Sequence, residues 1–348
     1  PTDSANDITY IKNIQLSGGR YGAISITMNA PSGCNKAIPY SSILATGYAF
    51  QYNSGEFVEY AAKAEYGNGG GNLSNVRVVK CTTHEDADDN KLCDYCNTDL
   101  SSGMVASLTT GGKTYYYTDL PAAVATANGK GGTVTLLNNV TLSGTLAVGK
   151  LGTTKDITLD LNGHTITDTG TFSGVGNYYL IQIYTTGTVT ICDSSDAKSG
   201  TIESKVPSGY PVSLSMGTLI IEGGTFKGDQ YALVAVSGTT LSIKGGTFSG
   251  TVDSFARPTT ISGGTFLNAV TVKGTTKISG GSFASLISDR SIGSLLADGY
   301  TFRSTAEDGT WLTEQQLAQK TANNITAVAA PITSVTLTSD AENHTVEY

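Results

Sequence analysis

Ile221-Glu222-Gly223-Gly224-Thr225-Phe226 is followed by Ile243-Lys244-Gly245-Gly246-Thr247-Phe248, Ile261-Ser262-Gly263-Gly264-Thr265-Phe266 and Ile278-Ser279-Gly280-Gly281-Ser282-Phe283. The four hexapeptides align without gaps at intervals of 22, 18 and 17 residues. That period is too short for a propeller blade, and the Thr, Val and Ile content is wrong for paired helices. It fits one coil of a parallel β-helix, an all-β solenoid in which each coil covers the next. In this register the Ile and Phe columns point inward and stack, and the paired glycines permit a sharp bend between strands. Outward positions take Thr, Ser, Glu222 and Lys244. The last two fall one coil apart as an exposed ion pair worth roughly 0–1 kcal/mol.

Upstream, Val134-Thr135-Leu136-Leu137, Ile157 to Leu161 and Val189-Thr190-Ile191 keep the strand pattern, with a turn at Asn162-Gly163. A solenoid needs covered ends. Thr118-Asp119-Leu120-Pro121 starts a short Ala-rich helix that Asn128-Gly129 stops, and its Leu120, Val124 and Ala127 can plug the first coil. A longer repeat also runs through the chain. Leu16-Ser-Gly-Gly-Arg-Tyr21 resembles Ile278-Ser-Gly-Gly-Ser-Phe283, and Leu44-Ala-Thr-Gly-Tyr-Ala-Phe50 resembles Leu296-Ala-Asp-Gly-Tyr-Thr-Phe302, in the same order. Residues 1–79 therefore read as the closing coils and cap of a preceding module, 80–112 as a connector and 113–330 as the β-helix. Residues 331–348, with Ile332 to Leu337, read as the first strand of a following β-sandwich.

The chain has 348 residues, 14% of them charged, with 42 glycines, 8 prolines and a net charge of −8. Abundant Gly, Thr and Ser with few charges argue for many short strands and tight turns. No basic stripe supplies phosphate contacts, so nucleic acid is not an expected partner. No apolar run approaches a membrane span, so no membrane insertion is expected. The chain opens on Pro1 and stops at Tyr348 within a strand-like pattern, which leads us to expect further domains on both sides.

Three of the five cysteines fall in Cys81-Thr-Thr-His84 and Cys93-Asp-Tyr-Cys96. Two close ligand pairs joined by a short loop match a structural zinc site with Cys₃His ligation. The competing reading is a disulfide between two of these cysteines, which leaves the third and His84 without a role. Cys34 is isolated in sequence, and Cys192, at a strand end, reads as a small buried residue. Within the loop, Asp86, Asp88, Asn90 and Asp94 are spaced like the oxygen ligands of a small calcium loop, although Lys91 stands where a glycine is expected. A solvated acidic loop explains the same residues.

A catalytic reading needs carboxylates on neighbouring coils. The outward acids are Asp156, Asp160, Asp168, Asp193, Asp196, Glu203, Glu222, Asp229 and Asp253, densest at Asp193-Ser-Ser-Asp196. That tetrapeptide is also made of turn formers. Lys205 and Arg257 are the nearest basic candidates, and His164 lies in an exposed turn. No nucleophile–His–Asp arrangement emerges. Tyr178, Tyr179, Tyr184, Tyr210 and Tyr231 cluster in the less regular coils. They read either as a platform for sugar rings or as cover for the interior.

The helix at Thr118–Asn128, the Gly-Gly-Thr-Val-Thr-Leu-Leu start at Gly131, the Leu159 to Ile166 run and the Gly-Gly-Thr-Phe coils resemble pectate-lyase-like β-helix domains. More narrowly, they resemble those of repetitive surface proteins of Gram-positive bacteria. The resemblance implies a right-handed parallel β-helix, secretion, display at the cell surface or cell wall, and adhesion through a glycan or host surface protein. No catalytic motif of pectate lyases or polygalacturonases finds matching positions. A non-catalytic binding module is therefore the first expectation, with a polysaccharide lyase or glycoside hydrolase acting along the groove near Asp193 to Asp229 as the alternative.

Overall fold

The computed structural model describes residues 14–25, 38–60, 63–64, 72–88, 90–100, 102–171, 177–306 and 309–331. Cys34, His344 and the strand expected from Ile332 lie outside them. From Gly132 onward the chain makes successive passes, each adding a strand to three parallel ladders. The first ladder runs through Gly132–Leu136, Ile157–Asp160, the end of Tyr179–Cys192, the end of Tyr210–Ile221, Thr240–Ile243 and the starts of Thr259–Val272 and Thr276–Ser288. The second joins Val140–Leu142, Thr165–Asp168, Thr201–Glu203, Thr225–Ala235, Thr247–Ser254 and the Phe266 and Phe283 segments. The third joins Leu146–Val148 to the Ile181, Val212, Leu233, Val252, Val270 and Leu286 segments. The chain is thus all-β in class, with predominantly parallel pairing between passes.

The inward columns are those the hexapeptides predict. Ile221, Ile243, Ile261 and Ile278 are buried in register, as are Phe226, Phe248, Phe266 and Phe283. The four phenylalanine rings stack with centroids 4.9, 4.8 and 4.9 Å apart, and Phe302 closes the row edge-on at 6.3 Å. The pass-to-pass strand spacing of about 4.8 Å brings like rings into offset contact without distortion. Glu222 and Lys244 form the exposed ion pair at 3.0 Å.

Each end of the stack is covered. At the start lies the helix Leu120–Lys130, with the Asp119 side chain accepting from Ala122 N and Leu120, Ala123, Val124 and Ala127 buried. It runs past Asn128-Gly129 and stops at Gly131, whose φ of 75° is open to glycine. Asn128 instead secures the first pass: its Oδ1 accepts from Gly149 N and its amide donates to Ala147 O. At the far end, Thr321–Ala329 runs antiparallel to both Thr276–Ser288 and Tyr300–Ser304.

Between Ile14 and Lys80 a separate small core holds Tyr40, Ile43, Phe50, Val58, Leu73, Val76 and Val78. Its sheet, Arg20–Ser25, Asn72–Lys80 and Tyr48–Tyr52, is antiparallel throughout.

Candidate metal centre and outward faces

The segment from Cys81 to Leu100 leaves the small sheet and enters the large one. Cys81 follows the strand Asn72–Lys80 directly, and its amide donates to Gly47 O. His84 lies in the strand His84–Glu85, opposite Tyr116 of Lys113–Tyr117. Cys93 and Cys96 lie on a tight turn in which Asn97 N donates to Cys93 O, and Asp94 N donates to Glu85 O. This brings all four side chains together. They are buried, and their ligand atoms lie within 4.8 Å of one another.

The Cys81 and Cys93 sulfurs are 3.9 Å apart, and Cys96 Sγ is 3.3 Å from His84 Nδ1. A tetrahedral ion bound at about 2.3 Å by sulfur and about 2.0–2.1 Å by nitrogen separates sulfurs by about 3.8 Å and sulfur from nitrogen by about 3.6 Å. A disulfide requires about 2.05 Å, and the three cysteines are free. The cluster is therefore dimensioned to hold a metal ion. Hydrogen bonds from the Cys81 and Cys93 thiols, with help from Thr98, pull the Cys96 thiol down against its burial. The same contacts, with burial, push Cys81 upward. One thiolate is thus already favoured in a set of ligands that must be deprotonated to bind.

A polar shell that the sequence reading missed surrounds this knot. Buried Glu85 accepts from Tyr95 Oη and from Lys113 Nζ. Burial and that hydrogen bond raise the Tyr95 phenol, and the Glu85 carboxylate raises Lys113. Phe57 stacks on Tyr95 at 5.0 Å. Glu85 sits beside His84 in sequence, but its partner Lys113 is 28 residues away, and no local spacing announces the pair.

The acidic loop brings three of its four predicted oxygen ligands together, namely Asp86, Asp88 and Asp94. Asp86 accepts from Asn90 N and Lys91 N at 3.0 Å each, and Asp94 accepts from Ala87 N at 2.9 Å. Asn90 is turned to Asp88 and to Leu92 N. Lys91 adopts the positive φ, 65°, that a glycine was expected to supply. These hydrogen bonds account for the loop's shape.

On the stack, three of the acids expected to face outward, Asp160, Asp168 and Asp193, are buried and hold turns, and Asp156 binds the neighbouring pass. Asp193 accepts from Gly163 N, Gly200 N, and both the amide and hydroxyl of Ser195. Burial raises this carboxyl, but the four hydrogen bonds outweigh it and hold the group below the ordinary carboxylate range. Asp168 binds Gly170 N, Ser204 Oγ and Lys205 N, while Asp160 binds Asn162 N and Ser194 N. Asp156 accepts from Thr188 N. Cys192 is half-exposed, not the buried residue expected, because Ile191 takes the inward position beside it. Burial, then Asp160, pushes its thiol up to about 12.

The five tyrosines do not form one platform. Tyr178 is buried and Tyr184 is exposed by itself. Tyr179, Tyr210 and Tyr231 form a row with centroids 5.4 and 4.4 Å apart, so that Tyr210 presents its faces to its neighbours. A different outward row is more open. Thr165, Thr201, Thr225, Thr247, Thr265 and Ser282 stand in register on consecutive passes. Their last four members line a shallow trough of about 600 Å³ floored by glycine backbone and flanked by Lys198 and Glu222.

Comparison of the chain with protein-family models, with curated proteins and with solved structures finds no match.

Proposed function

We propose that the chain is a zinc-stapled, right-handed parallel β-helix module displayed at a Gram-positive cell surface or cell wall, which binds a glycan along its hydroxyl row and performs no chemistry on it. The observation that carries the binding reading is the trough. Its hydroxyls repeat at the strand spacing of about 4.8 Å, a distance near the length of a sugar unit, and its floor of glycines lets a flat ligand approach the backbone. Glu222, the acid among its lining residues, is held in an ion pair with Lys244, which leaves the lyase or hydrolase alternative without a carboxylate pair in this trough. Zinc is favoured at the cysteine cluster because three thiolates and one imidazole in a closed tetrahedron suit a soft structural ion and leave no open position. Among the described residues no helix is long and apolar enough to cross a membrane.

A glycan array probed with the whole chain, alongside Thr247→Arg and Thr265→Arg, tests the reading. We expect retention on a polysaccharide that either arginine reduces at least tenfold, with unchanged thermal melting. Release of oligosaccharides from any bound polymer points to the enzyme alternative, and binding indifferent to both substitutions removes the trough. Metal analysis should return about one zinc per chain, and cysteines recovered as disulfides without zinc would overturn the staple.

A further inference from the structure

The small core between Ile14 and Lys80 repeats, bond for bond, the element that closes the stack. Leu16 makes an isolated parallel bridge to Leu44, as Ile278 does to Leu296. Ala45 N donates to Leu16 O at 3.0 Å, and Ala297 N donates to Ile278 O at 2.9 Å. A 3₁₀ turn precedes each second partner, at Tyr40–Ile43 and Ile292–Leu295, and a glycine follows it with φ of 79° at Gly47 and 80° at Gly299. Asn53 N reaches the carbonyl of Asn75, whose φ is 55°, while Thr305 N reaches that of Asn324, whose φ is 51°. Val58 N to Phe50 O matches Leu312 N to Phe302 O, and Cys81 N to Gly47 O matches Ala330 N to Gly299 O. Even the aromatic contact recurs, with Tyr21 folded back over Gly19 as Phe283 is over Gly281.

One partner differs. Thr276–Ser288 lies between the antiparallel strand Thr321–Ala329 and the parallel strand Thr259–Val272. Its counterpart Arg20–Ser25 has, among the described residues, only the antiparallel neighbour Asn72–Lys80. The matching side chains also differ in cover. Phe283 and Ile278 are fully buried beneath Phe266 and Ile261, whereas Tyr21 and Leu16 are half-buried and Ile14 is 55% exposed.

We infer that this element closes a second stack of coils, and that Arg20–Ser25 receives a coil of the Ile-x-Gly-Gly-Thr-Phe kind in parallel register. The Phe ring of that coil lies on Tyr21 and its Ile on Leu16. The coil belongs to the same polypeptide, N-terminal to Leu16, because the matching interface is continuous along one chain and its partner arrives from the preceding pass. A second copy of the described stack offers no equivalent edge: the helix Leu120–Lys130 covers one end and Thr321–Ala329 the other. An open edge strand with half-buried apolar residues is otherwise a liability for aggregation.

Hydrogen exchange on the 348-residue chain, whose residues before Leu16 carry no such hexapeptide, provides the first test. Amides of Arg20–Ser25 that face Asn72–Lys80 should be protected, and the alternate ones should exchange at least 100-fold faster. Protection of all of them by another segment, or by a concentration-dependent dimer, overturns the inference. The second test replaces residues 278–330 by residues 16–81 in an otherwise whole chain, which sets the first cap on the described stack. We expect one cooperative melt and full protection of Arg20–Ser25. Rapid exchange throughout Thr259–Val272 in the swapped chain, which marks an uncovered last coil, overturns it equally.

Discussion

The two glycines of each hexapeptide serve different physical needs, although the sequence presents them as a pair. The second takes a φ of 95–102° at Gly224, Gly246, Gly264 and Gly281, the bend anticipated from the motif. The first is dictated by the neighbouring pass. A Cβ at Gly263 would stand 2.2 Å from Lys244 O and one at Gly280 would stand 2.1 Å from Ser262 O, whereas one at Gly223 meets nothing closer than 3.5 Å. Gly263→Ala must therefore push two backbones apart and should lower stability by about 2 kcal/mol or more, while Gly223→Ala should change it by no more than about 0.5 kcal/mol. Chemical denaturation of both variants checks this, and equal losses would refute the division of labour. Asp193 carries a second expectation. Its folded carboxyl titrates below the unfolded value of about 3.9, so its contribution is complete above that pH and disappears as pH falls through the folded value. Asp193→Asn removes this titration and should flatten the acid limb of the stability curve below about pH 4, with a loss at pH 7 of about 1–3 kcal/mol from the mispaired amides of Gly163 and Gly200. Parallel acid limbs in the two proteins would contradict it.

At the scale of elements, legibility followed repetition. The regular hexapeptide columns fell on inward positions because a stacked coil has one periodic face to bury, and period in sequence becomes register in space. The helix was legible from its N-terminal side, where Asp119 and Pro121 act locally, and misread by two residues at its end, where Gly131 stops it and tertiary contact recruits Asn128 to the edge of Leu146–Val148. The tyrosines were misgrouped for a similar reason. Tyr178, just before the strand Tyr179–Cys192, is buried, and Tyr179, the first residue of that strand, joins the outward row. The Cys81, His84, Cys93 and Cys96 cluster was legible because two short pairs of metal-binding residue types carry their own geometry. Glu85 and Lys113 were not, because a long-range ion pair leaves no spacing to read. The hydroxyl row was hidden in plain view, since a threonine or serine on an outward strand position is ordinary until six passes bring five threonines and one serine into line.

For the whole molecule, the cluster's position matters more than its chemistry. The described residues fall into a large core along the stack and a small one under the antiparallel sheet of Arg20–Ser25, Tyr48–Tyr52 and Asn72–Lys80, and a third cluster is built from Ala49, Cys81, Cys93, Cys96, Leu100 and Met104. Its four candidate ligands straddle the junction: Cys81 is held by Gly47 of the small element, His84 is paired in the sheet of the stack, and the turn bearing Cys93 and Cys96 is tied to the small element by Tyr60 N donating to Asp94 O. An ion bound here would cross-link the two, and its free energy would act on the joint and not on either core. Stabilisation by an ion that binds only the assembled joint grows as RT ln(1 + [L]/Kd), about 2.7 kcal/mol at a free concentration 100-fold above Kd. Chelation should therefore leave melting of the stack unchanged, because its passes depend on their neighbours alone. It should also broaden the distance distribution between labels at Asn53 and Asn268 and open the segment around Lys91 and Leu92 to protease. His84→Ala should reproduce both effects in the presence of zinc. A distance distribution indifferent to the metal, measured on chain shown to bind it, would mean that the hydrogen bonds through Gly47, Tyr60 and Glu85 fix the joint unaided.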